Sequence, residues 1–274
     1  LATGVVVVPD RDGVVAEPFV EGDGGGVGAA HGEAQARLGG TDGLTGNRFS
    51  LANLQQIIPI PDNIPTKRAT LAANMETALN AHWDAGTQIG DRVLVVGGGI
   101  VGLLVAHLAR RITGQRVTVA DVAPERAAIS HTLGLDFTSP SDAPGDHSIV
   151  FHASATSAGL ETALASAAFE GKIVDLSWYG PKPVTLHLGG AFHSLRLTVL
   201  SSQVGHVAPS KRGAVTHRQR LQMAMDLLDD SSLDGLVTDE IPFDTLPEAL
   251  PQVWSQSGGG LAPVIRYTNA MQEG

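Results

Sequence analysis

Cysteine is absent from the 274 residues of this chain. The chain therefore forms no disulfide, holds no cysteine-ligated iron–sulfur cluster and offers no thiolate to zinc. Catalysis by a cysteine nucleophile is excluded for the same reason. Any chemistry in this sequence must depend on other side chains or on a bound cofactor.

The chain also lacks a basic excess and any long apolar run. Its formal net charge of −10 argues against a nucleic-acid-binding surface. No apolar run approaches the roughly 18–20 residues that a membrane-spanning helix needs. Residues 5–8 are too short, and lack the basic flank, for a secretory signal. We therefore expect a cytoplasmic protein with no membrane and no nucleic-acid partner.

Several common site patterns are missing as well. No serine lies in a G-x-S-x-G elbow, and no G-x-x-x-x-G-K-[ST] phosphate loop occurs. His31 and Glu33 have no further ligand nearby, and His187 and His193 lack the spacing of a metal site. The sequence predicts no metal site.

Residues 92–121 carry the most informative pattern in the chain. They read RVLVVGGGIVGLLVAHLARRITGQRVTVAD. A short β-branched run precedes Gly97, Gly99 and Gly102, which stand in the order G-x-G-x-x-G. An apolar helical segment, a second strand and Asp121 follow. This spacing predicts a βαβ unit that binds a dinucleotide.

Each glycine of this pattern has a physical task. Gly97 permits a tight turn, Gly99 lets the pyrophosphate approach the backbone, and Gly102 lets the helix pack closely on the sheet. The helix starts at Ile100 and Val101. Its free N–H groups and the positive end of its dipole are expected to hold the phosphates.

Asp121 predicts which dinucleotide is bound. Its carboxylate can accept hydrogen bonds from both ribose hydroxyls, and its charge repels a 2′-phosphate. The sequence therefore favours NAD over NADP as cofactor. The alternative is a glycine-tolerant turn that holds no ligand.

Strands and helices alternate along the chain after the first 46 residues. Strands are predicted at residues 92–96, 116–120, 135–138, 148–152, 172–176 and 195–201, with a further candidate at 184–188. Alternation of this kind predicts an α/β fold with a doubly wound, parallel, six-stranded Rossmann sheet. Helices are predicted at residues 67–83 and 211–228, among others. We interpret the basic cluster Lys211, Arg212, Arg218 and Arg220 as a solvated face of the second of these helices.

The first 46 residues have a different composition. Gly, Ala, Val, Asp and Glu make up 33 of them. Three interpretations stay open: a reduced substrate lobe, a flexible segment, or a misread frame in GC-rich DNA, because codons for all five residue types begin with G.

The chain from about residue 47 to 267 resembles the medium-chain dehydrogenase/reductase superfamily, the zinc-type alcohol dehydrogenases and their relatives. Three features carry the resemblance: a helix with Thr77-Ala78 before the glycine turn, the run GDRV leading into GGGIVG, and the tail LLDDSSLDGLVTDEIPFDTLPEALPQV with PVIRY. LAANMETALNAHWD, HASATSAGLETAL, DLSWYG and GGAFHS also resemble a bacterial branch that includes the bacteriochlorophyllide dehydrogenases.

The resemblance implies two lobes with a cofactor in the cleft between them. Residues 69–205 would form the dinucleotide-binding Rossmann domain. Residues 1–68 and 206–274 would form a reduced, mainly β substrate lobe. It also implies hydride transfer between NAD(P) and a small alcohol or carbonyl substrate, and a homodimer joined edge to edge, which covers an open sheet edge.

The sequence departs from the superfamily pattern in its substrate lobe. Zinc members have an early cysteine, a later Gly-His-Glu and a four-cysteine structural zinc lobe, and this chain has none of them. The segment before residue 66 is also shorter than in most members. We therefore expect hydride transfer without zinc.

Candidate site residues follow from the glycine turn, the resemblance and the predicted strand ends, where open α/β sheets bind ligands. Cofactor-binding candidates are Thr77, Gly97, Gly99, Ile100, Val101, Gly102, Asp121, Arg126, Ala153, Ser154, Ser177, Trp178 and Ser202. Without a metal, a side chain must handle the substrate proton. The candidates for that catalytic role are Tyr179, His193 and His152, with ordinary packing as the alternative for each.

Two other functions stay open from the sequence. One is a non-catalytic NAD-binding sensor or scaffold that kept the fold and lost the active lobe. The other is an NADPH-dependent quinone or enoyl reductase, against which Asp121 argues.

Overall fold

The computed structural model describes residues 58–254 and 261–266, without the side chains of Gln252 and Trp254. The three interpretations of the first 46 residues, and the candidate pair His31 and Glu33, lie outside the described residues.

A six-stranded parallel sheet forms the centre of the described chain. Its strands run in the spatial order β3-β2-β1-β4-β5-β6. They are β1 (Val93–Val96), β2 (Thr118–Ala120), β3 (Asp136–Thr138), β4 (His147–His152), β5 (Ala167–Asp175) and β6 (Thr198–Ser201). This order belongs to doubly wound dinucleotide-binding folds and confirms the predicted α/β class. The order reverses between β1 and β4, and ligands bind at the carboxyl ends of the strands there.

Helices cover both faces of the sheet. They are α1 (Thr66–Ala69), α2 (Ala72–Ala85), α3 (Ile100–Thr113), α4 (Arg126–Thr132), α5 (Ser157–Ser166), α6 (Ala191–Ser194), α7 (His217–Asp226) and α8 (Leu246–Trp254). Apolar side chains of α2, α3 and α7 share one core with one face of the sheet. Those of α5 pack on the other face. Two short strands, β7 (Glu240–Pro242) and β8 (Val264–Arg266), pair in parallel near the end of the chain.

Three predicted elements differ in the structure. The helix predicted over residues 67–83 is two helices, α1 and α2, separated by Thr70 and Leu71. Residues 184–188 form no strand. The helix predicted from residue 211 begins at His217, because Thr216 and Gln219 form a capping box that fixes its start.

The C-terminal part of the chain packs on the sheet's own core. Leu221 and Met225 of α7, and Leu228 after it, lie in the same buried cluster as α2 and α3. The division into a domain over residues 69–205 and a lobe built from 1–68 and 206–274 stays a prediction.

His82 joins α2 to α3 inside this core. The ring is fully buried; Nε2 donates to the Val105 carbonyl oxygen at 2.9 Å, and Nδ1 accepts from the Thr87 hydroxyl at 2.9 Å. Burial lowers the pKa of His82 to about 4, against the smaller opposing effect of the Val105 carbonyl. The ring is therefore neutral in the folded protein at physiological pH.

We expect His82 to make the fold less stable as pH falls from 6.5 towards 4. In that range the unfolded chain binds a proton at this histidine and the folded chain does not, so stability falls by roughly 1.4 kcal/mol per pH unit. Urea unfolding of the wild type and of H82Q across this range measures the difference in slope. H131Q, which replaces an exposed histidine of α4, is the control. Equal slopes for wild type and H82Q would contradict the expectation.

Candidate functional site

At two positions of the turn between β1 and α3, no residue larger than glycine fits. Gly97 has a φ of +110°, and a Cβ there would lie 2.8 Å from the backbone of Ala153 and Ser154. A Cβ at Gly102 would lie 1.8 Å from the Gly97 carbonyl oxygen. Both contacts are far inside van der Waals distance. The close approach of α3, β1 and the segment after β4 therefore requires both glycines.

Gly99 is different, because it faces open space. It is the N-cap of α3, with extended backbone angles, and no described atom lies within 4 Å of the position a Cβ would take. The side chains of Ile100 and Val101, the first residues of the helix, are buried, so only their backbones face the turn. The start of α3 thus leaves its N–H groups open to a ligand at a bare backbone surface.

Asp121 lies directly after β2, beside this turn. Its Oδ2 accepts from the Gly98 N–H at 2.5 Å and its Oδ1 accepts from the Ala123 N–H at 2.8 Å. A carboxylate has about four lone-pair sites, so acceptor capacity remains for ribose hydroxyls. Val122, next in the chain, is 85% exposed, and Arg126 is half-buried at the start of α4.

The carboxyl ends of β4 and β5 bring together a second polar group. His152, the last residue of β4, is fully buried. Its Nδ1 lies 2.9 Å from Asp175 Oδ1, and its Nε2 lies 2.7 Å from Ser154 Oγ. His152 and Asp175 are direct partners in the parallel pairing of the two strands. The register of the sheet therefore places these side chains in contact.

Residues after β5 complete this group. The Tyr179 hydroxyl donates to Asp175 Oδ2 at 3.0 Å, and its ring stacks on His152 with centroids 6.2 Å apart. The Ser177 hydroxyl lies 3.2 Å from His152 Nδ1 and accepts from the Ala155 N–H at 3.0 Å. We refer to Ser154, His152, Asp175, Ser177 and Tyr179 as the strand-end cluster.

The electrostatics of the cluster centre on Asp175. Burial raises the pKa of Asp175, but hydrogen bonds from His152 and the Ser177 N–H outweigh it, so the net pKa is below the usual value. Burial, and then the charge of Asp175, raise the pKa of Tyr179 well above its usual value. Asp175 is therefore a carboxylate and Tyr179 a neutral phenol at physiological pH.

Other candidate residues lie apart from the strand-end cluster. The Thr77 hydroxyl donates to the Ala73 carbonyl oxygen of its own helix at 3.0 Å. The Ser202 hydroxyl donates to Asp84 Oδ2 of α2 at 2.7 Å. Trp178 is 64% exposed, and His193 is exposed on α6. The functional roles of all candidate residues stay predictions.

The interpretation of Arg220 as part of a solvated basic face is wrong. Arg220 is 2% exposed, and its guanidinium donates to Glu76 Oε1 at 2.9 Å and to Asn80 Oδ1 at 2.7 Å. It also donates to the carbonyl oxygens of Val204 and His206, at 2.5 and 3.0 Å. A single buried guanidinium therefore fastens α7 and the loop after β6 to α2.

Sequence reasoning also missed Asp175. The signal that could have identified Asp175 is an acidic residue at the end of a strand, the same signal that identifies Asp121. The predicted strand ends one residue later, at 176, so the sequence pattern does not mark Asp175 as a strand end.

Residues 58–254 and 261–266 contain no group of three or more His, Asp or Glu side chains that could hold a metal ion. No helix of the described chain has the length and apolar character to cross a membrane.

No protein-family model matches the chain. Known proteins match it over part of its length. L-threonine 3-dehydrogenase of Rhizobium rhizogenes is 34% identical over 80 residues, which are 29% of this chain and 23% of that protein. (R,R)-butanediol dehydrogenase of Saccharomyces cerevisiae is 25% identical over 166 residues, which are 55% of this chain and 43% of that protein. The chain thus spans less than half the length of either relative.

Solved structures match the fold more broadly. A dehydrogenase from Sinorhizobium meliloti 1021 bound to NADP matches with a TM-score of 0.64 and 18% identity, and the match covers 77% of this chain and 62% of that one. An alcohol dehydrogenase from E. coli CFT073 complexed with NADH matches with a TM-score of 0.63 and 18% identity, covering 76% of this chain and 62% of that one. The finer resemblance to the bacteriochlorophyllide dehydrogenase branch stays a prediction. Partial sequence matches and a shared fold together confirm the resemblance of this chain to the alcohol dehydrogenase-like medium-chain dehydrogenases/reductases.

Proposed function

We propose that this protein is an NAD(H)-dependent oxidoreductase of the alcohol dehydrogenase type, which acts without zinc. The observation that carries the proposal is the turn before α3, bare at Gly99 and bordered by Asp121. A side chain at Gly99 would occupy the space that a pyrophosphate needs. The chemistry of this surface fits a dinucleotide.

The chain's own residues would hold and orient the cofactor. We assign the N–H groups at the start of α3 to the pyrophosphate and Asp121 to the adenosine ribose. Ala153, Ser154 and Ser177 follow β4 and β5, where a cofactor crosses the sheet edge. Bound NAD would supply the hydride chemistry, and the protein would supply binding, orientation and exclusion of water.

We propose a small alcohol or carbonyl compound as the substrate. The relatives named for threonine and butanediol support this class, because both names denote compounds with a secondary hydroxyl group. The zinc-free assignment rests on the sequence, which has no cysteine and none of the superfamily's Gly-His-Glu pattern. A side chain must then take the alcohol proton.

We expect NADH to bind more tightly than NADPH. The solved relatives do not decide this point, since one is bound to NADP and another to NADH. In this chain the Asp121 carboxylate would face a 2′-phosphate, and like charges brought together cost several kcal/mol, so a preference of about tenfold or more is expected.

Isothermal titration with NADH and NADPH measures this preference. The ratio of the two dissociation constants should shrink in D121N, because the substitution removes the repelling charge. Using the ratio cancels any general loss of affinity from the contact with Gly98. A wild type that prefers NADPH would contradict the assignment and favour a quinone or enoyl reductase.

A substrate screen separates the enzyme from the non-catalytic alternative. Butane-2,3-diol, L-threonine, sorbitol and short aldehydes serve as probes, with absorbance at the NADH band as readout. Turnover of any of them supports the oxidoreductase. NADH binding with no turnover across alcohols and aldehydes would favour a sensor or scaffold.

We also propose a homodimer joined at β6. This strand is one of the two edges of the six-stranded sheet, and Thr198, Val199 and Ser201 on it are exposed. An exposed edge strand presents unpaired backbone groups that a second copy can pair with. The cytoplasmic location stays an expectation from the sequence.

A further inference from the structure

Ser154 lies at the outer end of a row of hydrogen bonds that starts at a buried carboxylate. Asp175 only accepts hydrogen bonds, so its 2.9 Å contact with His152 Nδ1 places a ring proton on that nitrogen. While the ring is neutral, Nε2 is an acceptor, and the Ser154 hydroxyl donates to it at 2.7 Å. The single hydroxyl proton of Ser154 therefore points into the protein.

Thr156 extends this row towards solvent. Its hydroxyl oxygen accepts from the Gly159 N–H at 3.0 Å and lies 3.0 Å from Ser154 Oγ. Because the proton of Ser154 lies on the contact with His152, Thr156 is the donor to Ser154. Thr156 is exposed and Ser154 is half-buried, so both hydroxyl protons are directed inwards from the surface.

The heavy atoms around the Ser154 hydroxyl have little room to move. A Cβ at Gly159 would lie 2.0 Å from Ser154 Oγ and 2.9 Å from His152 Nε2, so α5 packs closely on both groups. Ala155, next in the chain, has a φ of +53°, and its N–H donates to Ser177 Oγ at 3.0 Å. A ligand at this site can therefore change the positions of protons more easily than those of oxygen and nitrogen atoms.

Ser154 borders the turn assigned above to the pyrophosphate. Its backbone nitrogen lies 2.8 Å from the position of a Cβ at Gly97. Phosphate oxygens only accept hydrogen bonds, and the Ser154 hydroxyl, with its proton on the contact with His152, offers them lone pairs. The hydroxyl can turn its proton towards an anion once Nε2 carries a proton of its own and becomes a donor.

We propose that NADH binds to this protein together with a proton, which His152 takes up at Nε2. The lone pair of Nε2 accepts the proton from solvent, the new N–H donates to Ser154 Oγ, and the Ser154 O–H turns to an oxygen of the pyrophosphate. Ser154 is then a binding residue and His152 a positioning residue, and the Asp175 carboxylate balances the charge of the imidazolium. This coupling rests on the proposed binding of NADH at the glycine turn.

The groups that face His152 leave it as the member of the row that changes charge near neutral pH. Asp175 of β5 and Tyr179 after it are ionisable groups in hydrogen-bonding reach of the ring. The pKa of Asp175 is below its usual value and that of Tyr179 is well above it, so neither titrates near neutrality. Val96, the partner of His152 on β1, and Gly159 of α5 add no charge.

The affinity for NADH should fall as pH rises above neutral. Binding that takes up one proton raises the dissociation constant by at most roughly tenfold per pH unit, and partial uptake raises it by less. In S154A the hydroxyl that couples His152 to the anion is gone, so the dissociation constant should depend much less on pH. Calorimetric titration with NADH at several pH values measures both dependences. H131Q, which replaces an exposed histidine of α4, should behave as the wild type does.

Calorimetry in two buffers counts the protons directly. PIPES and imidazole have different ionisation enthalpies, so proton uptake makes the binding enthalpies measured in them at the same neutral pH differ. We expect uptake of a large fraction of one proton per NADH in the wild type and in H131Q, and little or none in S154A.

Nitrogen NMR of the protein labelled with ¹⁵N-histidine locates the proton. The signals that are missing in H152Q identify His152. We expect the neutral Nδ1–H form in the free protein and the imidazolium after NADH is added. This measurement uses the wild type, so it stands even where H152Q folds poorly and its signals have to be assigned through bonds.

The outcomes separate the coupled proton from the function on which it rests. NADH binding without proton uptake, or with equal uptake in the wild type and S154A, overturns the coupling alone. The same holds for a His152 that already carries a proton on Nε2 in the free protein, or that stays neutral in the complex. A wild type that binds no NADH overturns the proposed function and the coupling together.

Discussion

Replacing Gly99 by alanine is expected to weaken NADH binding by roughly tenfold to a hundredfold while leaving the stability of the fold unchanged. Each charge-assisted hydrogen bond to the pyrophosphate is worth about 1.5–3 kcal/mol, and a methyl group at this position keeps the phosphates from the start of α3. The fold should tolerate the same methyl group, because φ is −74° and no described atom lies within 4 Å of its position.

Replacing Gly102 by alanine is expected to damage both properties. The new Cβ would lie 1.8 Å from the Gly97 carbonyl oxygen, so the turn has to move. Overpacking of this kind costs typically about 1–3 kcal/mol. A displaced turn no longer presents the N–H groups of α3, and NADH binding should be lost with it.

Calorimetry with NADH and urea unfolding of the same samples distinguish the two effects. G145A is the matched control, because Gly145 lies in a loop with open space at its Cβ position and outside the candidate site. If G99A bound NADH as tightly as G145A does, the turn before α3 would not be the pyrophosphate site.

The sheet was predictable from the sequence because its signals are local. Short β-branched strands, glycine turns and intervening helices each occupy one continuous stretch of chain, and right-handed crossovers leave few ways to arrange them. The glycine turn was predictable for the same reason, since every part of it lies within residues 92–121. Residues 184–188 show the limit of this approach, because a short apolar run without a partner strand is not a strand.

The strand-end cluster was predictable only in part. His152, Ser154, Ser177 and Tyr179 were found from strand ends, but their contacts depend on register. His152 meets Asp175 because the two residues pair across β4 and β5. A shift of one residue in the pairing register of a strand moves its side chains to the other face of the sheet. The sequence therefore indicated that these residues lie at the carboxyl ends of neighbouring strands, but not which of them form hydrogen bonds with one another.

Arg220 was not predictable from its surroundings in the sequence. It stands on a helix that begins with exposed charges, and its main partner, Glu76, is 144 residues away. The pattern of charges along a helix predicts a polar face, but tertiary packing decides whether one of those charged residues is buried. The buried pair became visible only when α7 was placed against α2.

Replacing Arg220 by methionine is expected to destabilise the fold by about 3–5 kcal/mol, as when one partner of a buried ion pair is removed. Four acceptors would lose a donor at once: Glu76, Asn80 and the carbonyl oxygens of Val204 and His206. Burial raises the pKa of Glu76 above its usual value, and the hydrogen bond and charge of the Arg220 guanidinium partly offset this increase. Without it, the carboxyl should take up a proton more readily on folding.

Urea unfolding at neutral pH measures this loss against an exposed pair. R196M removes the surface contact of Arg196 with Glu170 and should cost about 0–1 kcal/mol. The double variant E76L/R220M should be more stable than the sum of the single losses predicts, because it leaves no buried carboxylate without a partner. If R220M lost no more stability than R196M, the buried pair would contribute little to the fold. The segment after β6 would then be held on α2 by its other hydrogen bonds, those of the Ser202 hydroxyl with Asp84 and of the Ala208 N–H with Asn80.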